Sequence, residues 1–384
     1  MRVLISAMAA MAETGGTTLR TNLLANDLRK AGIDVAMCLA EDINFKPIKG
    51  IKNYFLSIPM PLGLPSMIAV HTFPIAQKLR LTSKKSVNSF EDVLYLTGNT
   101  NYKYLKKSIN EIRNAIRDFK PDVIYSEFNI SAIIAGKLEN KKIFISASIP
   151  TQFEYSNTPK YAVGVNKVLK EFHVPAVKSC LELFSWADKK FVPSCYELEP
   201  FQDSKVIFCG TWKHILPVFN QKKNKILVYM GNGTISQKKM LQVIISAFKN
   251  SIYQVYIAGM GLRPQSINNI HIASHFEFRE LLPETAVFIN HGGQNSVIDG
   301  LIYAVPQIIC AGKVFERRYN AESIVKNGAG LEILYDEFSA ETVLFNTEKI
   351  LSDNQYKDNA AKLGSRLLAL GGTENIINAL QEEK

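Results

Sequence analysis

Apolar residues recur along this chain in two rhythms, short continuous runs and longer stretches with a helical period. In the first half the runs over 2–6, 34–39, 121–126 and 142–146 read as strands. Between them, 18–30, 101–119 and 130–138 carry helical spacing, with Leu19, Leu23, Leu24 and Leu28 on one face of the first. Gly32 stops that helix just ahead of the second strand. The second half repeats the rhythm, with strands over 225–230, 253–258, 287–289, 306–310 and 331–334. Its helices run over 236–248 and open near Gln294 and near Asn320, after a charged turn holding Glu316, Arg317 and Arg318. A helical tract over 355–383, broken by Gly371-Gly372, ends the sequence. Alternation of this kind predicts an α/β protein whose parallel sheets are covered on both faces.

Pro193 and Pro200 interrupt the periodicity across 191–216, so the boundary between the halves is expected there. That divides the chain into 1–205, 206–354 and the closing helices of 355–384. Residues 53–83 form an apolar stretch with several Pro and Met, either the wall of a binding pocket or a lipid-facing surface, or else a helical insertion packed on the core.

With 384 residues, 47% of them hydrophobic and 21% charged, the chain is long enough for two globular cores. No run approaches the ~18 apolar residues that mark a membrane span. The opening run serves better as a first strand than as a secretory signal. Five scattered cysteines without a CxxC favour reduced thiols in a cytoplasmic protein over disulfides or a zinc site. Net charge is +10, and nine of those ten surplus charges fall before Pro217. A basic first half suits an anionic acceptor or peripheral contact with an anionic membrane, or is a solvated lysine-rich surface. Nucleic acid is disfavoured, since no basic and aromatic module of a known kind is present.

The most informative segment is His291-Gly292-Gly293 between a strand and a helix. Glycines there let backbone approach a ligand closely, and the unpaired N–H groups of a helix start carry partial positive charge, a phosphate-holding geometry. Asn295, Ser296 and Asp299 follow within two helical turns, and Ser296 and Asp299 share a face. The alternative is an ordinary helix cap with a solvated Asp. Gly233 and Thr234 stand at a second strand–glycine–helix junction.

His291, Gly293, Asn295, Ser296, Asp299, Val305-Pro306, Glu316, Asn320 and Ala321 together resemble the donor motif of family 1 (UDP-glycosyltransferase-like) transferases with the GT-B fold. That motif reads H-x-G-x-N-S-x-x-E, then G-V-P, then D/E-Q-x-x-N-A. Asp299 replaces the usual Glu and Arg317 the usual Gln. The resemblance implies two Rossmann-like domains facing across a cleft, with the last helix crossing back to the first. It also implies inverting, metal-independent transfer of a sugar from a UDP- or dTDP-sugar, with no further cofactor, to a small-molecule acceptor, anionic or lipid-linked. Diphosphate would rest on Gly233, Thr234 and the 291–296 turn, ribose on Asp299, and the sugar on Glu316, Arg317 and Asn320. His275 and Phe276 fall where relatives hold the nucleobase; otherwise the phenylalanines nearby are core residues of a strand.

On the acceptor side relatives place a histidine base after the first strand, where this chain has Gly15-Gly16-Thr17-Thr18-Leu19-Arg20. Thr17 occupies the histidine position, and a threonine hydroxyl is no base near neutrality. Glu13 and Glu127 are the candidate carboxylate bases; a low-pKa acceptor needing little activation is the third option. Gly16 and Arg20 are expected to line the acceptor side, Arg20 meeting an anion or forming an ion pair. Two rival functions remain open, an epimerase or hydrolase acting on nucleotide sugars, and a silent partner of a true transferase.

Overall fold

The computed structural model describes residues 1–11, 15–41, 45–64, 86–213, 223–231 and 234–383. Glu13, Gly233 and residues 65–83 of the apolar stretch lie outside them. Two sheets carry the chain, each seven-stranded among the described residues. The first holds β1 (Arg2–Ala7), β2 (Asp34–Leu39), β3 (Lys52–Phe55), β4 (Val123–Glu127), β5 (Lys142–Ser146), β6 (Lys189–Val192) and β7 (Val206–Phe208). All are parallel, in the order β3-β2-β1-β4-β5-β6-β7. The second holds β8 (Lys225–Tyr229), β9 (Gln254–Ala258), β10 (Gln265–Ile267), β11 (Ile270–Ala273), β12 (Thr285–Asn290), β13 (Gln307–Ile309) and β14 (Gly330–Glu332). Their order is β10-β11-β9-β8-β12-β13-β14, with β10 antiparallel to β11.

Helices cover both faces. In the first half they are α1 (Gly15–Lys30), α2 (Phe90–Leu96), α3 (Tyr102–Phe119), α4 (Ile130–Leu138) and α5 (Val163–Glu171). In the second they are α6 (Gln237–Phe248), α7 (Phe278–Leu281), α8 (Gln294–Ile302), α9 (Phe315–Lys326), α10 (Ala340–Ser352), α11 (Asn354–Ala369) and α12 (Glu374–Gln381). Because neither face of a sheet meets water, central strands are buried along their length rather than on alternate residues. Every residue of β4 and β12 is buried. Among the described residues, no helix is long and apolar enough to cross a membrane, and all five cysteines are buried free thiols.

Two expectations change. Helix α9 starts at Phe315, so Glu316 and Arg317 belong to its first turn rather than to a preceding loop. The residue-205 boundary falls just before β7, which bonds to β6, so the first sheet runs on to Phe208. Helix α11 packs Ala360, Leu363 and Leu367 with Leu301 and Ile302 of α8. Helix α12 returns to the first half, where Ile376, Ala379 and Leu380 join Val3, Ile5, Leu24 and Leu28 in one core.

This topology fixes where chemistry can occur. Strand order reverses at β1/β4 in one sheet and at β8/β12 in the other. In open α/β sheets, ligands bind beyond the carboxyl ends of strands at such reversals. Here the two reversals face each other. Arg20 of α1 donates to Gln294 Oε1 at the start of α8 (3.2 Å), and Tyr319 and Ser323 of α9 donate to the Leu198 carbonyl. A backbone bridge joins Val87 to Val314: Val87 N–H donates to Lys313 O (3.0 Å) and Phe315 N–H to Val87 O (2.8 Å).

Candidate active site

Strand β12 ends in buried Asn290, whose side chain shapes the glycine turn. Its Oδ1 accepts from Gly292 N–H (2.8 Å), while its amide donates to Gln307 Oε1 (2.8 Å). Gln307 in turn donates to Val297 O in α8 (2.8 Å). Gly292 has φ +80°, and a Cβ there would lie 2.9 Å from Arg317 O, so glycine is required for α9 to pack on the turn. Asn320, expected at the sugar, donates its amide to Gly292 O (2.7 Å) and so braces the same turn. Gly293 N-caps α8 without a side-chain cap, and the first-turn amides of Gln294, Asn295 and Ser296 have no intrahelical carbonyl to meet.

His291 fills the space between two glycine turns. A Cβ on Gly231 would lie 3.0 Å, and one on Gly293 2.7 Å, from its ring. Burial, aided by Arg317, pushes its pKa down to about 3, so the imidazole is neutral. The contact of Nδ1 with Tyr229 O (3.4 Å) pairs the ring with a group that can only accept, so Nδ1 carries the hydrogen and Nε2 a lone pair. Thr234 lies at the neighbouring turn, its hydroxyl accepting from Lys313 N–H (3.1 Å) and occupying the space a Cβ on Gly312 would need. Burial lowers the Arg317 pKa, with Glu316 and Tyr229 opposing.

Asp299 has a partner the sequence did not reveal. Lys213, in the segment joining the halves, places Nζ 2.6 Å from both carboxylate oxygens. Burial raises the Asp299 pKa, and Lys213 works against that rise. The pair borders a cavity of about 350 Å³ lined also by Leu19, Leu23, Phe278, Arg279 and Tyr303. His275 and Phe276 are not part of its wall. His275 is exposed, and Phe276 packs edge-on against Tyr256. Neither lies in a strand, since β11 ends at Ala273.

Across the cleft, Glu127 ends β4 fully buried. Its Oε1 receives Arg20 through Nε (2.7 Å) and Nη2 (2.6 Å), and its Oε2 receives the Ser146 hydroxyl. Three of its roughly four acceptor positions are thus taken within a fully buried ion pair. Arg20 is committed likewise, to Glu127 and Gln294. Gly16 and Thr17 lie in the first turn of α1 at the β1/β4 reversal. Gln294 also donates to Glu199 Oε1 (3.1 Å), while Glu199 Oε2 accepts from Ile149 N–H (2.7 Å). Burial pushes Glu199 up to about 7, with nearby Glu316 contributing.

Sequence reasoning missed Lys213, Glu199, Gln294 and Asn290. Only Asn290, a polar residue in an otherwise apolar strand, left a visible signal.

Comparison with known proteins agrees with this geometry. Residues 261–382 match the C-terminal domain family of the erythromycin biosynthesis protein CIII type. The chain is 22% identical over 303 residues to NDP-glycosyltransferase YjiC of Bacillus subtilis, covering 70% of this chain and 75% of that protein. It is 24% identical to the uncharacterized UDP-glucosyltransferase YojK of the same organism, over only 42% of that protein's length. Among solved structures, spinosyn rhamnosyltransferase SpnG complexed with thymidine diphosphate superposes with a TM-score of 0.70 at 13% identity, covering 99% of this chain and all of that one. The fold is therefore that of the GT-B glycosyltransferases, and along most of its length the chain is similar in sequence to transferases that act on nucleotide sugars.

Proposed function

We propose that the protein transfers a sugar from a UDP- or dTDP-sugar to a small acidic acceptor, with inversion at the anomeric carbon. The carrying observation is the apposition of the two strand-order reversals, tied by Arg20 and Gln294. The diphosphate rests on the 292–296 amides, with His291, Thr234 and Arg317 around it, and the nucleoside enters the cavity beside Asp299. The sugar lies toward Glu316. Developing charge on the leaving diphosphate is met by α8's amide end and Arg317 rather than by a bound cation.

The acceptor oxygen attacks the anomeric carbon opposite the diphosphate; the bond to the diphosphate breaks and its electrons leave with that oxygen. Thr17 cannot take the acceptor's proton and Glu127 is buried in an ion pair with Arg20, which favours a nucleophile that is already ionised or nearly so, a carboxylate or an acidic phenol. Work in the cytoplasm and a loose contact of the basic first half with anionic lipid accompany this reading.

Calorimetry with UDP- and dTDP-sugars tests the donor assignment, and absence of binding by both ends it. Proton NMR of the first-formed product gives the anomeric configuration, where retention would reject inversion. A series of acceptors of graded pKa should react faster as the pKa falls, with Glu13→Gln close to the parent rate. Abolished activity in Glu13→Gln would instead make that residue the base.

A further inference from the structure

The Lys213–Asp299 pair changes what the donor cavity can recognise. A carboxylate grips a vicinal diol by offering one in-plane lone pair from each oxygen, both on the side away from its carbon. Lys213 Nζ, 2.6 Å from each oxygen, sits astride those same two positions. The lone pairs left over point back toward α8. Asp299 is also one methylene shorter than the glutamate of the family pattern and has less reach to work around the lysine. The pair is held in place: the Asp299 side chain is 14% exposed and Lys213 32%, and Lys213 N–H is anchored on the Thr211 hydroxyl (3.2 Å). An ammonium has three donors. With two directed at Asp299, the third is left for a ligand in the adjoining cavity, whose wall includes both residues.

We infer that Lys213 makes this donor site indifferent to the 2′-hydroxyl of the nucleotide, so that 2′-deoxyribonucleoside diphosphate sugars bind as well as their ribo counterparts. Lys213 itself, through its remaining N–H, meets the pentose 3′-oxygen or the first phosphate. The inference rests on the nucleotide-sugar reading above and adds how its donor site treats the pentose.

The test compares UDP with 2′-deoxy-UDP, which share a base and differ only at the hydroxyl in question. Calorimetry on the unmodified protein should give dissociation constants within about twofold of each other. A hydroxyl bonded to a carboxylate is worth about 1.5–3 kcal/mol, so a tenfold or greater preference for UDP would overturn the inference. In Lys213→Met the carboxylate is released, and UDP should gain at least fivefold over 2′-deoxy-UDP. An unchanged ratio there would also overturn it. Should Lys213→Met fail to fold, Lys213→Gln keeps a donor for Asp299 without its charge and should shift the ratio in the same direction. A merely structural lysine would weaken both nucleotides equally and leave their ratio fixed. Binding of neither nucleotide to the unmodified protein would reject the donor reading itself, and this inference with it.

Discussion

His291 carries its one hydrogen on the nitrogen facing Tyr229, leaving a bare lone pair on the other. To donate to a diphosphate it must gain a proton, and the anion raises its pKa from about 3 toward neutrality. Nucleotide-sugar binding should therefore take up protons and tighten as pH falls from 8 to 6. Calorimetry in buffers of different ionisation enthalpy reads this directly, and His291→Asn should abolish it. Equal enthalpies across buffers would show a preformed Nε2 hydrogen instead. A second prediction concerns Arg20. Removing it leaves Glu127 buried without its counterion, so Arg20→Met should cost about 3–5 kcal/mol, measured by urea denaturation. Arg20→Met/Glu127→Leu should recover most of the loss. Residues such as His291, Gly292 and Asp299 stood out in the sequence as candidates because they fall close together, at a strand end and within the two helical turns that follow. Lys213 did not, since it meets Asp299 only across 86 positions of chain. Glu199 was hidden likewise: 95 positions separate it from Gln294.

At the level of helices and strands, position and type were mostly readable. The runs at 34–39, 130–138 and 142–146 form elements with those bounds, because buried strands and one-faced helices each impose a period. The three-residue strands β7 and β10, which the sequence pattern did not reveal, are too short to show one. The charged opening of α9 looked like a turn because Glu316, Arg317 and Arg318 face the cleft or solvent rather than a core. Helix α8 is held from behind by α11, where Gly364 allows close approach: a Cβ there would lie 2.0 Å from Leu301 O. Gly364→Ala should force the helices apart and lower stability by about 1–3 kcal/mol. Nucleotide affinity should fall with it, since α8 carries the turn proposed to hold the diphosphate. An unchanged melting temperature would show that α11 yields freely.

Across the molecule, the junction between halves contains a buried acid. Burial pushes the Glu199 carboxyl from its ordinary value of 4.5 up to about 7. A raised acid contributes stability that is full below pH 4.5 and lost as pH rises through 7, amounting to about 3 kcal/mol. Unfolding free energy should fall over that window, and Glu199→Gln should flatten the slope. A parallel slope in the variant would assign the effect elsewhere. The crossover of α12 makes a further expectation: truncation after Gly372 uncovers Leu24, Leu28 and Ile5 of the first core. Such a protein should bind a dye for exposed apolar surface and melt at lower temperature, while a chain ending at 383 should not.

The bridge between Val87 and Val314 is made of peptide groups alone. Side-chain drift at 87, 314 or 315 therefore leaves the hasp intact, and proline at 87 or 315 is the change that deletes one of its donors. Any rocking that separates residue 87 from residues 313–315 breaks both hydrogen bonds together, so this small clasp resists a parting of the halves along that edge.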